Sequence, residues 1–234
     1  FGSSNPLNVV NQLRLWSMDS FGEDLIANVR AGGIYYWDYT NYTNRAVALS
    51  DLAGANLAPT LGLQVLVSDI DRHVIVLGSD PLNSSLTART GAIDPLLVAF
   101  SDQENVAEWE PTSTNTAGSL RCSAGSQIIG GLRARQETLI WTDVALYSLQ
   151  FIGAPLTFGL NLINEGVSLI GPNAAVNTPS GIYWMDKKGF YSYQGAVQPV
   201  PCSVHSYVFD DLNEDQAFQV FGFLNKQFDE VGWF

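Results

Sequence analysis

The stretch from Glu137 to Gln194 contains one pattern twice, first as Leu139-Ile140-Trp141-Thr142-Asp143 and then as Ile182-Tyr183-Trp184-Met185-Asp186. The first copy continues Val144-Ala145-Leu146-Tyr147-Ser148-Leu149-Gln150, and the second continues Lys187-Lys188-Gly189-Phe190-Tyr191-Ser192-Tyr193-Gln194. Each copy is a hydrophobic run ending in Trp-x-Asp, a short turn, and an aromatic-rich run ending in Tyr-Ser-x-Gln. A hairpin that occurs twice indicates a fold built from repeated β-units, such as a propeller.

Similar hairpins are predicted along the whole chain, with turns near residues 32, 70, 103, 134, 179 and 226. Successive turns lie 31 to 47 residues apart, which suits blades of three or four strands. We therefore predict an all-β fold, a β-propeller or most of one, with little helix. We expect residues 1–234 to form a single propeller-like domain, cut from a longer polypeptide because the sequence starts at Phe1 and stops within a strand.

Five predictions concern segments with weaker patterns. Residues 107–110 are expected to form a strand that pairs with 96–100, and 112–125 are expected to be a polar connection. Residues 155–172 have a mixed pattern that suggests an outward excursion, and 46–52 a brief strand or helical turn. The acidic run at 205–215 lacks alternation, so a short helix or a turn is expected there.

Composition limits the function classes. The net charge is −12, and only 15% of the 234 residues are charged. An acidic chain is a poor candidate for sequence-independent nucleic-acid binding, which needs Lys and Arg to displace counterions. The same acidity suits a channel wall along which DNA slides without sticking.

The sequence gives no sign of a membrane span, a signal peptide or a metal site. It contains no long apolar run and no CxxC or Cys/His cluster. Cys122 and Cys202 could pair, but free buried thiols are the preferred interpretation.

Catalytic constellations are weak. His73 lies close in sequence to Ser68 and Asp71, but neighbours in one turn are not expected to adopt triad geometry, and no nucleophile elbow is present. His205 has no supporting pattern.

Other candidate sites are no stronger. The pairs Glu23/Asp24, Glu108/Glu110 and Asp210/Asp211 are explained by polar surface, although Glu108 and Glu110 would share a strand face. The calcium-like run 211–215 lacks the required Gly and Glu at its sixth and twelfth positions. The three arginines Arg121, Arg133 and Arg135 allow a sialidase-like anion pocket as a remote alternative. We therefore assign no catalytic, cofactor-binding or metal-binding residue and predict that the protein is not an enzyme.

Aromatic residues of the repeats are expected to pack between blades, although a carbohydrate-binding platform stays open as an alternative. They are Trp37, Trp141, Trp184, Tyr147 and Tyr191.

Several long strings, in order from residue 13 to the end, resemble tail proteins of tailed bacteriophages of the tail nozzle, or tail tubular protein B, type. They include Leu15-Trp16-Ser17-Met18-Asp19-Ser20-Phe21-Gly22-Glu23-Asp24-Leu25-Ile26-Ala27, Gly33-Ile34-Tyr35-Tyr36-Trp37-Asp38, Asn44-Arg45-Ala46, Ser101-Asp102-Gln103-Glu104, Asn115-Thr116-Ala117-Gly118-Ser119, Trp141-Thr142-Asp143 with Leu146-Tyr147, Gly171-Pro172-Asn173 and Val208-Phe209-Asp210-Asp211-Leu212-Asn213.

This resemblance implies a structural protein of the virion, assembled in the host cytoplasm. Family members form a hexameric ring below the portal and adaptor, line the DNA exit channel without reading sequence, retain the genome and support fibres or spikes. Because the family carries no catalytic residues, none is transferred to this chain. The main alternative is a receptor- or glycan-binding propeller of a tail fibre or cell surface, and a sialidase-like hydrolase is a more remote one.

Overall fold

The computed structural model describes residues 14–68 and 71–234. The strands in these ranges are β1 Trp16–Phe21, β2 Asp24–Val29, β3 Gly32–Trp37, β4 Val47–Ala48, β5 Leu61–Gly62, β6 Gln64–Val67, β7 Val74–Leu77, β8 Leu97–Phe100, β9 Gly118–Arg121, β10 Ile128–Arg133, β11 Thr138–Thr142, β12 Ala145–Gly153, β13 Thr157–Glu165, β14 Ala175–Thr178, β15 Gly181–Met185, β16 Phe190–Tyr193, β17 Val197–Val200, β18 Gly222–Asn225 and β19 Glu230–Trp233. The helices are α1 His205–Phe209 and the 3₁₀ turns Tyr39–Asn41, Leu49–Asp51 and Glu214–Gln219.

The strands form successive antiparallel sheets along the chain. The first sheet has the order β1-β2-β3-β4, with β5 also paired to β3. The second is β6-β7-β8-β9, the third β10-β11-β12-β13 and the fourth β14-β15-β16-β17, and β18-β19 is a two-stranded fifth sheet. Repeated four-stranded meanders are the architecture of propeller blades. The predicted all-β, propeller-type fold is therefore confirmed.

The first strand of each sheet lies beside the first strand of the next. The backbone amide of Val65 in β6 donates to Ser17 Oγ in β1 at 2.9 Å. Gln64 exchanges two hydrogen bonds with the backbone of Gly131 in β10, both at 2.8 Å. Asn177 in β14 donates to the carbonyl of Arg133 at 2.9 Å. Five first strands are thus connected side by side, since β14 and β18 also meet, through a parallel bridge at Asn173.

Close approach of these strands requires glycine at one point. A Cβ atom on Gly131 would lie 2.6 Å from Leu77 Cδ1 of the second sheet. That distance is too short for two carbon atoms, so any larger residue would push the second and third sheets apart.

Three apolar clusters lie between the sheets and hold the array together. One joins the first and second sheets around Ile26, Val65 and Trp109. Another joins the second and third sheets, and includes Tyr147. The last joins the third and fourth sheets with the fifth. The faces that meet between neighbouring sheets are therefore dry, which accounts for the central strands that are apolar on both faces.

The repeated Trp-x-Asp residues occupy equivalent places. Trp141 and Trp184 both have 0% exposure and meet edge to face, with ring centroids 5.4 Å apart. The predicted packing between blades is confirmed for these two residues and for Tyr147, and Tyr191 stacks on Trp184. It is wrong for Trp37, which lies half-exposed on the uncovered face of the first sheet and contacts Tyr39.

The aspartates of the pattern have a structural task. Asp143 follows β11 and accepts hydrogen bonds from the amide of Ser126 at 2.7 Å and from its hydroxyl at 2.6 Å. Asp186 follows β15 and accepts from the amide of Ser168 at 3.1 Å. In each case the bonded serine lies in the segment that enters the same sheet. The carboxylate thus ties the second strand of a sheet to the start of that sheet.

A third copy of this arrangement is present in the second sheet. Asp80 comes three residues after β7 and accepts from the amide of Thr60 at 3.1 Å and from its hydroxyl. Thr60 lies four residues before β6, at the start of the segment that contains β5 and leads into the second sheet. We call Asp80, Asp143 and Asp186 the entry aspartates.

The predicted turns are not all equivalent. Those near residues 134, 179 and 226 join first and second strands, whereas the turn near 32 joins β2 to β3 and the one near 103 follows β8. The turn near 70 lies partly outside the described residues. The spacing of the turns therefore predicted the repeat correctly, but the predicted turns lie at two different ends of the sheets. We call the side with the turns at 134–137 and 179–180 the upper side, and the side with the entry aspartates the lower side.

Several segment predictions are corrected. Residues 107–110 form no strand: an isolated bridge joins Glu108 to Asn56, and Trp109 is buried in the cluster between the first and second sheets. The polar connection 112–125 contains β9. The mixed segment 155–172 contains β13, in which apolar residues alternate from Phe158 to Leu162 until a register shift in the pairing with β12 interrupts the pattern. The brief strand or helical turn predicted at 46–52 is confirmed, because the segment contains β4 and a 3₁₀ turn. The short helix predicted within 205–215 is confirmed at 205–209.

Among residues 14–68 and 71–234, no helix has the length and apolar character needed to cross a bilayer.

Asp143 and Asp186 should respond differently to neutralisation. Burial alone raises the pKa of Asp143, but the hydrogen bonds from Ser126 and Gln127 outweigh it and lower the pKa below 3.8. Burial dominates at Asp186 and raises its pKa. We expect Asp143→Asn to lower the free energy of unfolding by about 1 kcal/mol, whereas Asp186→Asn should be neutral or stabilising. Urea unfolding at pH 7 measures both values.

The stability differences between wild type and these two variants should change with pH in a defined direction. The advantage of wild type over Asp143→Asn should be complete above pH 3.8 and should disappear as the pH falls through the lower pKa of the folded state. For Asp186 the ionised carboxylate costs stability at neutral pH, and that cost should vanish in acid. Equal loss of stability in the two variants would contradict this account.

Candidate functional site

The upper side carries a cleft of about 420 Å³ between the second and third sheets. Its walls are the turn that joins β10 to β11, the upper ends of β12 and β13, and two residues that flank the turn of the second sheet. The lining residues are Ser68, Asp71, Arg133, Ala134, Arg135, Gln136, Glu137, Thr138, Leu149, Gln150, Phe151 and Phe158. The cleft therefore combines cationic, carboxylate, amide and aromatic groups.

Arg133 closes the inner end of this cleft. Its guanidinium donates to the carbonyl of Val67 at 2.7 Å and forms an ion pair with Asp19 at 3.2 Å. These contacts join the end of β10 to β6 and β1. Arg133 thus fixes the positions of three first strands, in addition to lining the cleft.

The three arginines of the sialidase-like alternative do not converge. Arg135 shares the cleft with Arg133. Arg121 lies instead on β9, the outer strand of the second sheet, and pairs with Asp94 at 2.8 Å. The structure therefore does not form the three-arginine anion pocket.

Ser68, Asp71 and His73 do come together, contrary to the expectation from their sequence spacing. Asp71 Oδ2 lies 3.1 Å from Ser68 Oγ and 2.9 Å from His73 Nδ1. Asp71 therefore lies between the serine and the histidine, whereas in a catalytic triad the histidine lies between the other two. His73 Nε2 is directed to Thr116 Oγ1 at 3.0 Å. A nucleophile needs direct contact with its base. The geometry lacks that contact.

His73 instead connects two loops of the second sheet. Thr116, its partner on one side, also donates its hydroxyl to Asp102 at 2.6 Å. A hydrogen-bonded chain therefore runs from Asp71 through His73 and Thr116 to Asp102. Since His73 is fully buried, this chain is an internal brace next to the cleft.

The outer wall of the cleft is aromatic. Phe158 is buried against His73 and Phe100, with ring centroids 5.1 and 4.8 Å away. Phe151 packs on Phe158 but is 41% exposed. Phe151 therefore presents part of its ring to any ligand in the cleft.

Glu137 lines the same cleft and is held by hydrogen bonds. It accepts from the hydroxyl of Ser148 and from Gln150 Nε2. The side chain of Tyr193 also bonds to it, and burial followed by this negative charge raises the pKa of Tyr193. Among the described residues, Arg135 makes no hydrogen bond or ion pair, so its guanidinium is available to a ligand.

The remaining carboxylate candidates are structural. Glu108 and Glu110 do converge, since both accept from Asn56 Nδ2, at 3.1 and 2.8 Å. Asp24 accepts from the hydroxyl of Tyr36 and the amide of Tyr39. In the acidic run 210–215, Glu214 pairs with Lys187 at 2.9 Å. Within the described part of the chain, no three His, Cys, Asp or Glu side chains are grouped to hold a metal ion.

Sequence reasoning missed the cleft because its walls come from three distant segments. The residues with the clearest repeat pattern are buried between sheets, whereas Phe151 and Arg135 lie in the least regular positions. One available signal was the length of the aromatic-rich run after Asp143, which continues beyond Gln150 into Phe151.

No protein-family model matches the sequence, and the search of curated proteins finds no relative. Among solved structures, the chain is similar to the extracellular domain of a proposed one-component system of B. thetaiotaomicron. That match has 13% identity and a TM-score of 0.53, and covers 92% of this chain and 25% of the other.

The chain is also similar to PorZ, a surface component of the type-IX secretion system of Porphyromonas gingivalis. Here the identity is 11% and the TM-score 0.50, with 82% of this chain and 28% of the other covered. The chain thus spans about a quarter of the length of either protein. At these identities the likeness defines the class of protein, a β-propeller-type domain.

The two cysteines are free, as preferred from the sequence, and differ in environment. Cys122 is fully buried, and burial raises the pKa of its thiol to about 12. Cys202 is half-buried. Because the thiolate is the reactive species, we expect a disulfide reagent at pH 8 to modify Cys202 in the native protein long before Cys122. In Cys202→Ser no fast-reacting thiol should remain; equal rates for both thiols would contradict this packing.

Proposed function

We propose that this chain is a propeller module that works by assembling with other macromolecules, and specifically that it is part of a phage tail nozzle or hub. The observation that carries the specific role is the series of sequence strings, in order from Leu15 to Asn213, that resemble the nozzle family. In this role six copies surround the DNA exit channel, adjoin the adaptor and portal-proximal proteins, and support fibres or spikes.

The distribution of acidic residues is compatible with such a channel. Several carboxylates accept hydrogen bonds within the fold, as the entry aspartates do. A group that stays exposed lies on the lower side, in the link from β17 to β18, at Asp210, Asp211, Glu214 and Asp215. These are side chains that a ring could direct towards its bore, where negative charge would repel the DNA backbone and limit adhesion.

Electron microscopy tests the nozzle role. The full-length protein, or the virion that contains it, should show sixfold rings with residues 210–215 facing a central bore. Replacing these four acids by Asn or Gln should leave the ring intact and slow DNA release, because DNA would meet less repulsion. Monomers, or a bore lined with Lys and Arg, would rule out this role.

A second candidate is a receptor- or glycan-binding propeller, and the comparisons favour it over the nozzle. The two similar structures are an extracellular domain and a bacterial surface component. The upper cleft supports this role because it offers an exposed aromatic ring, Phe151, and the exposed guanidinium of Arg135. An aromatic face with nearby polar groups is suited to a sugar ring.

A glycan array tests the second role. If it is correct, the protein should bind some glycans saturably, and Arg135→Ala or Phe151→Ala should weaken binding about tenfold or more. Arg121→Ala is the matched control, because Arg121 is an exposed arginine on β9, away from the cleft. Absence of saturable binding, or equal loss in Arg121→Ala, would remove this candidate.

A further inference from the structure

The outer edge of the third sheet differs from the outer edges of the other sheets. The outermost strand β13 has nine residues. The corresponding outer strands β4, β9 and β17 have two, four and four residues. Within the described residues β13 pairs only with β12. Its other edge therefore presents backbone N–H and C=O groups that no neighbouring strand pairs, although the amide of Phe158 donates to Leu156 within the turn.

Long free edges are usually protected in soluble proteins by Pro, by Lys, or by being short. The outer strand β17 follows this rule, since it is short and contains Pro199. β13 reads Thr157-Phe158-Gly159-Leu160-Asn161-Leu162-Ile163-Asn164-Glu165, without Pro, Lys or Arg. Register shifts interrupt the pairing of β13 near both ends, but between them residues 158–162 form a regular edge that neither Pro nor a cationic side chain protects.

The side chains near this edge are apolar and exposed. Leu162 is 44% exposed, and it shares a face with half-buried Leu160 because their partners are Tyr147 and Leu149. The end of β12 adds Phe151 and Ile152, and the turn that leads into β13 adds Leu156, each more than 40% exposed. An added strand would cover this surface with its own apolar residues.

We propose that β13 is a docking edge to which an extended segment of a protein partner adds as a fifth strand. Unpaired backbone groups in a row are matched by another extended backbone, and the apolar side chains select a segment with alternating apolar and polar residues. The segment would carry few charges near Leu162, since Glu165 is the sole ionisable residue of β13. This inference is independent of the proposed function, because it depends only on the geometry of one edge.

The experiment uses a library of displayed random twelve-residue peptides as the probe and the whole chain as bait. Selected peptides should show alternating apolar residues, and hydrogen exchange should slow in β13 when they bind. Leu162→Lys should weaken binding about tenfold or more, because it places a charge at the pairing edge. Val144→Lys is the matched control: Val144 is 45% exposed and lies in the turn after β11. Both variants should melt at the wild-type temperature.

Three outcomes would overturn the proposal. The first is a failure to select any peptide that slows exchange in β13. The second is equal affinity of the peptides for wild type and Leu162→Lys. The third is self-association of the wild type that Leu162→Lys abolishes, because the edge would then serve a second copy of this chain and not a partner segment.

Discussion

The fold depends on a hydrogen bond between a carboxylate and the chain segment that enters its own sheet. Three sheets repeat it, through Asp80, Asp143 and Asp186. Each bond fixes the lower end of a sheet, so that the apolar faces of neighbouring sheets meet in one register. The tryptophan contact between Trp141 and Trp184 is possible because the two strands before these aspartates are held at equivalent heights. The upper side has no such repeated bond, and its turns and strand lengths differ from sheet to sheet. The cleft and the long β12–β13 hairpin lie on this side.

The first sheet shows what replaces this bond. It has no aspartate after β2, and Arg30 stands there instead. The Arg30 guanidinium donates to the carbonyl of Ile128 at 3.3 Å and lies 5.0 Å from the ring of Phe218. Burial lowers the pKa of Arg30 to about 10, which leaves it charged at neutral pH. One buried cation thus links the first sheet to the third and to the segment before β18, and this contact draws distant parts of the chain together.

The sequence predicted the repeat but not all of its parts. Trp-x-Asp was a reliable signal, because a buried ring and a carboxylate that binds a distant amide both demand specific residue types. The copy at Asp80 was not predicted because Leu77-Gly78-Ser79-Asp80 contains no tryptophan. In addition, Asp80 is the third residue after its strand, whereas Asp143 and Asp186 directly follow theirs. Strand β13 was missed because its alternation is short: Phe158, Leu160 and Leu162 share one face, and a register shift opposite Leu146 and Tyr147 takes Ile163 out of the pattern. The cleft was not predictable, since Ser68, Arg135 and Phe151 meet only when two sheets pack.

Both proposed functions depend on surfaces of the chain. Ser68, Asp71 and His73, which have the chemistry of a hydrolase, are arranged as a brace, with the histidine directed away from the serine. The groups left available are Arg135, the ring of Phe151, the acidic link 210–215 and the edge of β13. The nozzle role draws on the acidic link, the glycan-binding role draws on Arg135 and Phe151, and the docking inference draws on the edge of β13.

Amide hydrogen exchange at Thr60, Ser126 and Ser168 tests the central claim most directly. Each of these amides should be protected in the wild type. Each should lose its protection when its own entry aspartate is replaced by Ala, while the other two amides stay protected. Unprotected amides in the wild type, or a uniform loss in all three variants, would contradict the account.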